Sequence, residues 1–184
     1  MIARSIFLGL TWSALALLPT RSADLPEQKL PVLGGTGGES FTRSCGAGKV
    51  LTGFRHRTGL VVDAIGLLCR PVNSDGSLGA ETTVGTLVGG SGGTTGFSSC
   101  ESGTVLTRVR IHFRTYVDGV RMFCSTWNKS TRSTGDNTSF PSFGRTIINT
   151  SEAEECEMKV QPAVAIRGRA AGVVDAFGMI CNEP

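Results

Sequence analysis

An aspartate followed six residues later by a cysteine occurs three times in this sequence, and this repetition restricts the fold more than any other feature. The three copies read VVDAIGLLC, YVDGVRMFC and VVDAFGMIC, and they end at Cys69, Cys124 and Cys181. In each copy apolar side chains recur at every second position after the aspartate, which is typical of a β-strand with one face in a core. The chain is therefore expected to contain three related β units.

The six cysteines follow the same period. In sequence order they form three pairs whose members lie 24, 24 and 25 positions apart, and successive first members are 55 and 56 apart. Six cysteines permit many pairings in general, but a threefold period selects one. The predicted disulfides are Cys45–Cys69, Cys100–Cys124 and Cys156–Cys181.

Each pair encloses two extended runs joined by a turn, so three disulfide-closed hairpins are expected. Residues equidistant from the turn of an antiparallel hairpin face each other, which would place the two thiols opposite one another at the open end. The turns would then centre near residue 57, at His112 and beside Gly168. On this geometry His56 and His112 are expected to be exposed turn residues.

Glycine-rich segments precede the first two hairpins, reading GGTGGESF from Gly34 and GGSGGTTGF from Gly89. The third hairpin is preceded only by FGRTIINTSEA from Phe143. These segments divide the chain into units at residues 34–88, 89–143 and 144–184. Because the last unit is short, a strand from Leu30–Leu33 is expected to complete its sheet and cover the open edge.

The N-terminus predicts export. Arg4 is followed by an apolar run and then by PTRSA, the order of a secretory signal peptide covering residues 1–23. The run is too short to span a membrane, and residues 24–184 are expected to form a single domain in an extracellular compartment, or the periplasm of a bacterium. Without Arg4 and Arg21, the 18 basic residues become 16 against 15 acidic ones, a net charge of +1. That balance gives no reason to expect nucleic acid as a partner.

The repeated aspartate begins a row of side chains that faces the core in every copy. The three rows are Asp63, Ile65, Leu67, Cys69; Asp118, Val120, Met122, Cys124; and Asp175, Phe177, Met179, Cys181. The opposite face carries Gly66, Arg121 or Gly178 at equivalent positions. Two interpretations of the aspartates stay open: their carboxylates accept backbone N–H groups at the hairpin turn, or they hold a ligand.

Motifs for catalysis, metals and cofactors are missing from the sequence. There is no Gly-x-Ser-x-Gly nucleophile motif, no Cys-x-x-Cys or His-x-x-x-His pair, and no complete phosphate-binding loop. No cofactor and no metal are therefore predicted, and the chain is not expected to be an enzyme. A glycosidase using the ring of three aspartates is the remaining catalytic alternative, although equivalent strand-end aspartates form a poor acid/base pair.

The threefold strand motif and the glycine-rich segments resemble vitelline membrane outer layer protein I and, more distantly, jacalin-type lectins. The resemblance covers residues 34–184 and implies an all-β fold, the β-prism, in which three Greek-key sheets are related by pseudo-threefold symmetry. The tryptophans frequent in the vitelline family's glycine-rich segments are missing, since residues 24–184 contain only Trp127.

In jacalin-type lectins a glycine-rich N-terminal loop and the aspartate of a Gly-x-x-x-Asp segment hold a sugar. Here the segment from Gly59 to Asp63 matches, whereas Arg114 and Ala171 stand where the other two copies would need glycine. The resemblance implies that Gly34 and Gly35, with Gly37 and Gly38, supply the loop. The candidate ligand-binding residues are Gly34, Gly35, Gly59, Asp63, Asp118 and Asp175.

Two main functions follow as hypotheses. The first is a secreted, non-catalytic, lectin-like protein that binds glycans. The second is a structural or protective protein of an extracellular matrix or coat, stabilised by its disulfides, and a carbohydrate-active enzyme is a third, weaker alternative.

Overall fold

The computed structural model describes residues 26–147, 151–156 and 161–184, so the predicted signal peptide lies outside the described residues. Within these ranges the chain forms fourteen β-strands and no helix. No helix in this part of the chain is long and apolar enough to cross a membrane. The strands are β1 (Gln28–Lys29), β2 (Leu33–Gly34), β3 (Glu39–Ser44), β4 (Lys49–Thr58), β5 (Val62–Pro71), β6 (Thr82–Gly89), β7 (Thr94–Ser99), β8 (Thr104–Phe113), β9 (Val117–Asn128), β10 (Ser133–Ser139), β11 (Ser142–Gly144), β12 (Ser151–Glu155), β13 (Ala163–Ala170) and β14 (Val174–Cys181).

Three antiparallel sheets share one connectivity. Sheet I has the order β6-β5-β4-β7, in which three strands follow one another and the fourth returns to the free edge of the first, the Greek-key arrangement. Sheet II repeats it as β10-β9-β8-β12, with β11 also paired to β9. Each sheet is centred on one of the three predicted hairpins, namely β4–β5, β8–β9 and β13–β14.

Sheet III is built from both ends of the described chain. It has the order β1-β14-β13-β3, with β2 also paired to β14. The prediction that an N-terminal segment completes the third sheet is confirmed, although the paired strands lie on either side of residues 30–32. The all-β fold of three Greek-key sheets, the predicted β-prism, is confirmed.

The glycine-rich segments do not pair with the hairpins that follow them in sequence. β3, which follows Gly34, pairs with β13 of sheet III, and β7, which follows Gly89, pairs with β4 of sheet I. Likewise β12 pairs with β8 of sheet II. Each sheet therefore takes its returning strand from the sequence unit that comes next around the threefold axis.

The core lies between the three sheets. The predicted core-facing rows are confirmed, because every apolar member of them after the aspartate is completely buried. Phe54 of sheet I stands at the centre, with its ring 5.7 Å from that of Phe143 in sheet II and 6.0 Å from that of Phe177 in sheet III. Both contacts are edge-to-face, the arrangement that aromatic rings favour.

All three predicted disulfides are present, with sequence separations of 24, 24 and 25. Each closes the loop that contains one hairpin, but the two cysteines are not opposite each other in its ladder. Cys69 faces Leu51, because Cys45 precedes β4 and follows β3 of sheet III. Cys100 and Cys156 follow β7 and β12 in the same way, so the bonds link sheet III to I, I to II, and II to III.

Candidate functional site

The three hairpin turns converge at one end of the prism and enclose a cavity of about 830 Å³. Its lining comes from all three sheets: residues 35–38 between β2 and β3, Val61, residues 115–116, residues 171–173 and Asp175. Tyr116, which is 41% exposed, supplies the aromatic surface of this lining. We call this space the Asp175 cavity.

Asp175 lies at the start of β14, and only 4% of it is exposed. A Cβ atom added to Gly37 or Gly38 would overlap a carboxylate oxygen of Asp175, so these two positions must be glycine for the loop to approach the acid. The buried Oδ2 atom of Asp175 has no hydrogen-bond partner among the described residues. The site therefore holds a nearly buried acid whose full hydrogen-bonding capacity is not used by the protein.

An arginine holds the glycine loop beside this acid. Arg169 of β13 donates from Nε to the carbonyl oxygen of Gly37 at 2.7 Å and from Nη2 to that of Gly38 at 2.6 Å. The N–H of Gly35 donates to the backbone oxygen of Asp175 at 2.9 Å. These bonds fix a loop that glycine would otherwise leave flexible, so the geometry around Asp175 exists before any ligand arrives.

The first hairpin repeats this arrangement at Asp63. The Asp63 carboxylate lies against Gly92 and Gly93, and Arg57 donates to the carbonyl oxygens of both glycines at 2.6 and 2.8 Å. The N–H of Gly90 donates to the backbone oxygen of Asp63 at 2.8 Å, and the Oδ2 atom of Asp63 has no partner in the described part of the chain. Asp63 therefore repeats the loop contacts of Asp175, although Asp63 is half-buried and does not line the Asp175 cavity.

The second hairpin differs because it neutralises its own acid. Arg114 donates from Nε and Nη2 to the two carboxylate oxygens of Asp118, at 3.0 and 2.7 Å. The hydrogen bond and the charge of Asp118 raise the pKa of Arg114. Gly144 and Arg145 replace the first two glycines of the loop, and the N–H of Arg145 donates to the backbone oxygen of Asp118 at 2.8 Å. In this copy the aspartate is 1% exposed and both of its carboxylate oxygens are paired.

The structure groups the candidate residues differently from the sequence. Gly34 and Gly35 lie beside Asp175 and not beside Asp63, because β2 and β3 belong to sheet III. Gly59 does lie beside Asp63, as a Cβ atom added to it would be 3.4 Å from Oδ2. Asp118 stands apart as the ion-paired copy.

The interpretation in which the three carboxylates accept backbone N–H groups does not match the structure. Within the described ranges no carboxylate of the three accepts a backbone N–H; instead their backbone oxygens do so, and an arginine side chain pairs with Asp118. Sequence reasoning missed the loop-holding arginines Arg57 and Arg169 and the aromatic Tyr116. A signal existed, since Arg57 and Arg169 both stand six residues before the repeated aspartate.

The prediction that both histidines are exposed turn residues is wrong. His56 and His112 lie within β4 and β8, and each is only 7% exposed. The His56 ring stacks on Phe143 of sheet II at 4.3 Å, and its Nε2 atom is 3.3 Å from the hydroxyl of Ser98. His56 is therefore part of the contact between sheets I and II.

Acid is expected to destabilise the protein through His56. Burial lowers the pKa of His56 below its usual value of 6.5, and Nδ1 is buried without a partner among the described residues. Above pH 6.5 the ring is neutral in both the folded and unfolded chains, so this contribution to stability is complete. As the pH falls below 6.5 the unfolded chain binds a proton that the folded chain resists, and the free energy of unfolding decreases.

Urea unfolding at pH 7.5 and pH 5 tests this expectation against a His56→Phe variant, which keeps the stack on Phe143. The variant should lose less stability than the parent between the two pH values. An equal loss in both proteins would show that other groups cause the acid sensitivity.

The described residues contain no group of three or more His, Cys, Asp or Glu side chains placed to hold a metal ion. The unpaired carboxylate oxygens of Asp63 and Asp175 each lie against glycine backbone, and Asp175 also lines the Asp175 cavity. Such an acid, at the base of an open cavity, is suited to accept hydrogen bonds from hydroxyl groups.

No protein family model and no curated protein sequence matches this chain. Solved structures do match its fold. A lectin from Malaysian banana shares 18% identity with a TM-score of 0.58, covering 86% of this chain and all of the lectin. A mannose-binding jacalin-related lectin from Ananas comosus shares 21% identity with a TM-score of 0.57, covering 86% of this chain and 99% of its own. Calystegia sepium agglutinin shares 16% identity with a TM-score of 0.60, covering 87% and 99%.

These similarities establish a fold shared with lectins that include a jacalin-related one. The resemblance to vitelline membrane outer layer protein I stays a prediction.

Proposed function

We propose that this protein is a secreted, non-catalytic carbohydrate-binding protein whose main site is the Asp175 cavity, with Asp63 as a second, equivalent site. The observation that carries the proposal is the Asp175 carboxylate, which is nearly buried, has an oxygen without a partner in the described chain, and lies beside an open cavity. Burying a charged group without partners is costly, so a ligand that supplies hydrogen-bond donors there gains unusually strong bonds.

Sugar hydroxyls match these requirements. Two adjacent hydroxyls can donate to the two oxygens of one carboxylate, and such charge-assisted bonds are stronger than neutral ones. The loop held by Arg169 is already in position, so little ordering is required on binding. The exposed ring of Tyr116 offers an apolar surface for the C–H face of a sugar ring.

A neutral sugar such as a mannose unit suits the site better than an acidic one, because the carboxylate would repel a second negative charge. The lectins with this fold support the choice: the Ananas comosus protein is described as mannose-binding, and the Calsepa lectin has been solved in complex with a bisected glycan. A cavity of about 830 Å³ has room for more than a single sugar ring.

The lining of the Asp175 cavity favours binding over hydrolysis. A glycosidase generally places two carboxylates across the scissile bond, one to donate a proton and one to act as base or nucleophile. Asp175 is the one carboxylate residue in the lining, and Asp118 of the smaller adjoining cavity is bound to Arg114. The described residues thus supply one free acid where a hydrolytic mechanism generally uses two.

A structural or protective protein of an extracellular coat is the second candidate function. The ring of disulfides that links each sheet to the next favours it, since crosslinks of this kind prolong survival outside the cell. Such a protein would be retained by matrix components regardless of free sugar.

A glycan array probed with the oxidised protein separates the two candidates. We expect binding to mannose-containing glycans that free methyl mannoside competes away. Binding to no glycan, together with matrix retention that sugars do not reduce, would overturn the carbohydrate-binding proposal and favour the structural one.

A further inference from the structure

One cross-strand position distinguishes sheet II from the other two sheets. The first strand of each hairpin carries an arginine at the same place, namely Arg55, Arg110 or Arg167. Across the ladder, Arg55 faces Gly66 and Arg167 faces Gly178, whereas Arg110 directly faces Arg121. Sheet II therefore has two like charges opposite each other where the other sheets have one charge and a glycine.

The glycines of sheets I and III are covered by other parts of the chain. A Cβ atom on Gly66 would be 3.0 Å from the side chain of Leu87, and one on Gly178 would overlap the carbonyl oxygen of Pro31. Arg167 is also bound, because its Nη2 atom donates to the carbonyl oxygen of Leu30 at 3.0 Å. In these two sheets the equivalent surface is occupied by the protein itself.

In sheet II the surface is open. Arg121 is exposed and Arg110 is half-buried, on the opposite face from the fully buried Val120 and Met122. Neither arginine makes a hydrogen bond or ion pair with any residue in the described ranges. The residues beside them in the same row of the sheet, Ala153 and Ser142, carry no charge.

Directly opposed like charges destabilise a sheet, so this pair weakens the folded protein unless an anion lies between the two guanidinium groups. Each guanidinium group carries a planar fork of N–H donors that matches the oxygens of a sulfate, phosphate or carboxylate group. The register therefore places two arginines, in one sheet of three, where a bound anion would relieve their repulsion.

Aromatic side chains border the pair on the same face. Phe123 lies two residues beyond Arg121, and the exposed ring of Phe140 meets it edge-to-face at 5.4 Å. Arg108 stacks over Phe123 at 4.4 Å and pairs with Glu155 at 4.0 Å, so its charge is already balanced. The surface thus combines two free cationic groups with the exposed apolar ring of Phe140.

We propose that Arg110, Arg121, Phe123 and Phe140 form a second binding surface, for a sulfated polysaccharide. Two unpaired charges are few for nucleic acid, which needs many phosphate contacts, or for an anionic membrane, which attracts larger basic clusters. A sulfate group between the arginines and a sugar ring against the exposed ring of Phe140, which packs on Phe123, use all four residues. The surface shares no residue with the lining of the Asp175 cavity, so it does not depend on the function proposed there.

Calorimetric titration with dextran sulfate tests this surface, with uncharged dextran as the control ligand. Arg110→Gln and Arg121→Gln should each weaken binding about tenfold or more. Each should also reduce the slope of log affinity against log salt concentration by about one, because one fewer counterion is released. Arg43→Gln makes the same charge change on β3 of sheet III, where Arg43 bonds only to the carbonyl oxygen of Thr42, and it should leave affinity within about twofold. Asp175→Asn should also bind dextran sulfate normally.

Arg121→Glu separates binding from folding. The new carboxylate would face Arg110 and pair with it, so the melting temperature should hold or rise while dextran sulfate binding disappears. Equal weakening by all three glutamine variants, loss of binding in Asp175→Asn, or no binding by the parent would overturn the proposal. Tighter binding to single-stranded DNA or to anionic vesicles at the same salt concentration would also overturn it.

Discussion

Replacing Asp175 with asparagine is expected to lower the affinity for mannose-containing glycans about 100-fold while the protein stays folded. The substitution keeps the shape of the side chain but removes the charge that strengthens the bonds from two sugar hydroxyls, each about 1.5–3 kcal/mol. It also removes the charge from a nearly buried group, one of whose oxygens has no partner among the described residues. The melting temperature should therefore be unchanged or higher. Calorimetric titration and thermal unfolding of the same samples measure the two effects.

Asp118→Asn is the matched control, because the same change is made at the equivalent position of sheet II. There the carboxylate is 1% exposed and bound twice by Arg114, so its loss should cost about 1–3 kcal/mol of stability. Glycan affinity should hold. The two variants are thus expected to show opposite patterns, one losing binding and the other losing stability.

Asp63→Asn reports on the equivalent site in sheet I. Since Asp63 has the same glycine and arginine contacts, the variant should remove one of two binding events per chain and leave the other. Full retention of both events in Asp175→Asn would contradict the assignment of the main site. Unfolding of that variant would instead make Asp175 a structural residue like Asp118.

The threefold repeat could be read from the sequence because disulfides and strands follow local periods. Cysteine spacing selected the three bonds, and alternation after Asp63, Asp118 and Asp175 predicted which side chains enter the core. Both signals depend on residues close together in the chain, where the geometry of a strand fixes the outcome.

The positions of the hairpin turns were misplaced for a definite reason. The prediction assumed that Cys45 faces Cys69, which centres the turn at residue 57. In the structure Leu51 faces Cys69, which centres it three residues later, at residue 60. His56 consequently lies inside β4 and becomes buried between sheets, where the sequence predicted an exposed turn.

The partner of each glycine loop could not be found from neighbouring sequence. Residues 34–38 are nearest in the chain to Asp63, yet they contact Asp175, because the Greek-key return places β3 against β13. Only closure of the chain ends into sheet III brings them together. The short third unit was the one sequence sign of this closure, and it predicted the strand but not the site.

Removing one disulfide, by Cys100→Ala together with Cys124→Ala, is expected to reduce the free energy of unfolding by about 3.5 kcal/mol. The bond closes a loop with a sequence separation of 24, and chain-entropy arguments assign roughly this value to such a loop. It is a large part of the stability of an ordinary domain, about 5–15 kcal/mol. Urea unfolding at pH 7.5, with reversibility checked, measures the change.

The other two pairs provide internal controls, because the three closed loops follow one another without overlap. Opening one loop does not lengthen another. Removing any one pair should therefore reduce the free energy of unfolding by a similar amount, and the losses from removing two pairs should add. A loss well below 1 kcal/mol, with unchanged denaturant dependence, would contradict the entropic account. Removing two pairs could instead reduce the free energy of unfolding by clearly more than the sum of the two single losses. That result would show that the bonds act mainly by holding the sheets together, because each bond joins two different sheets.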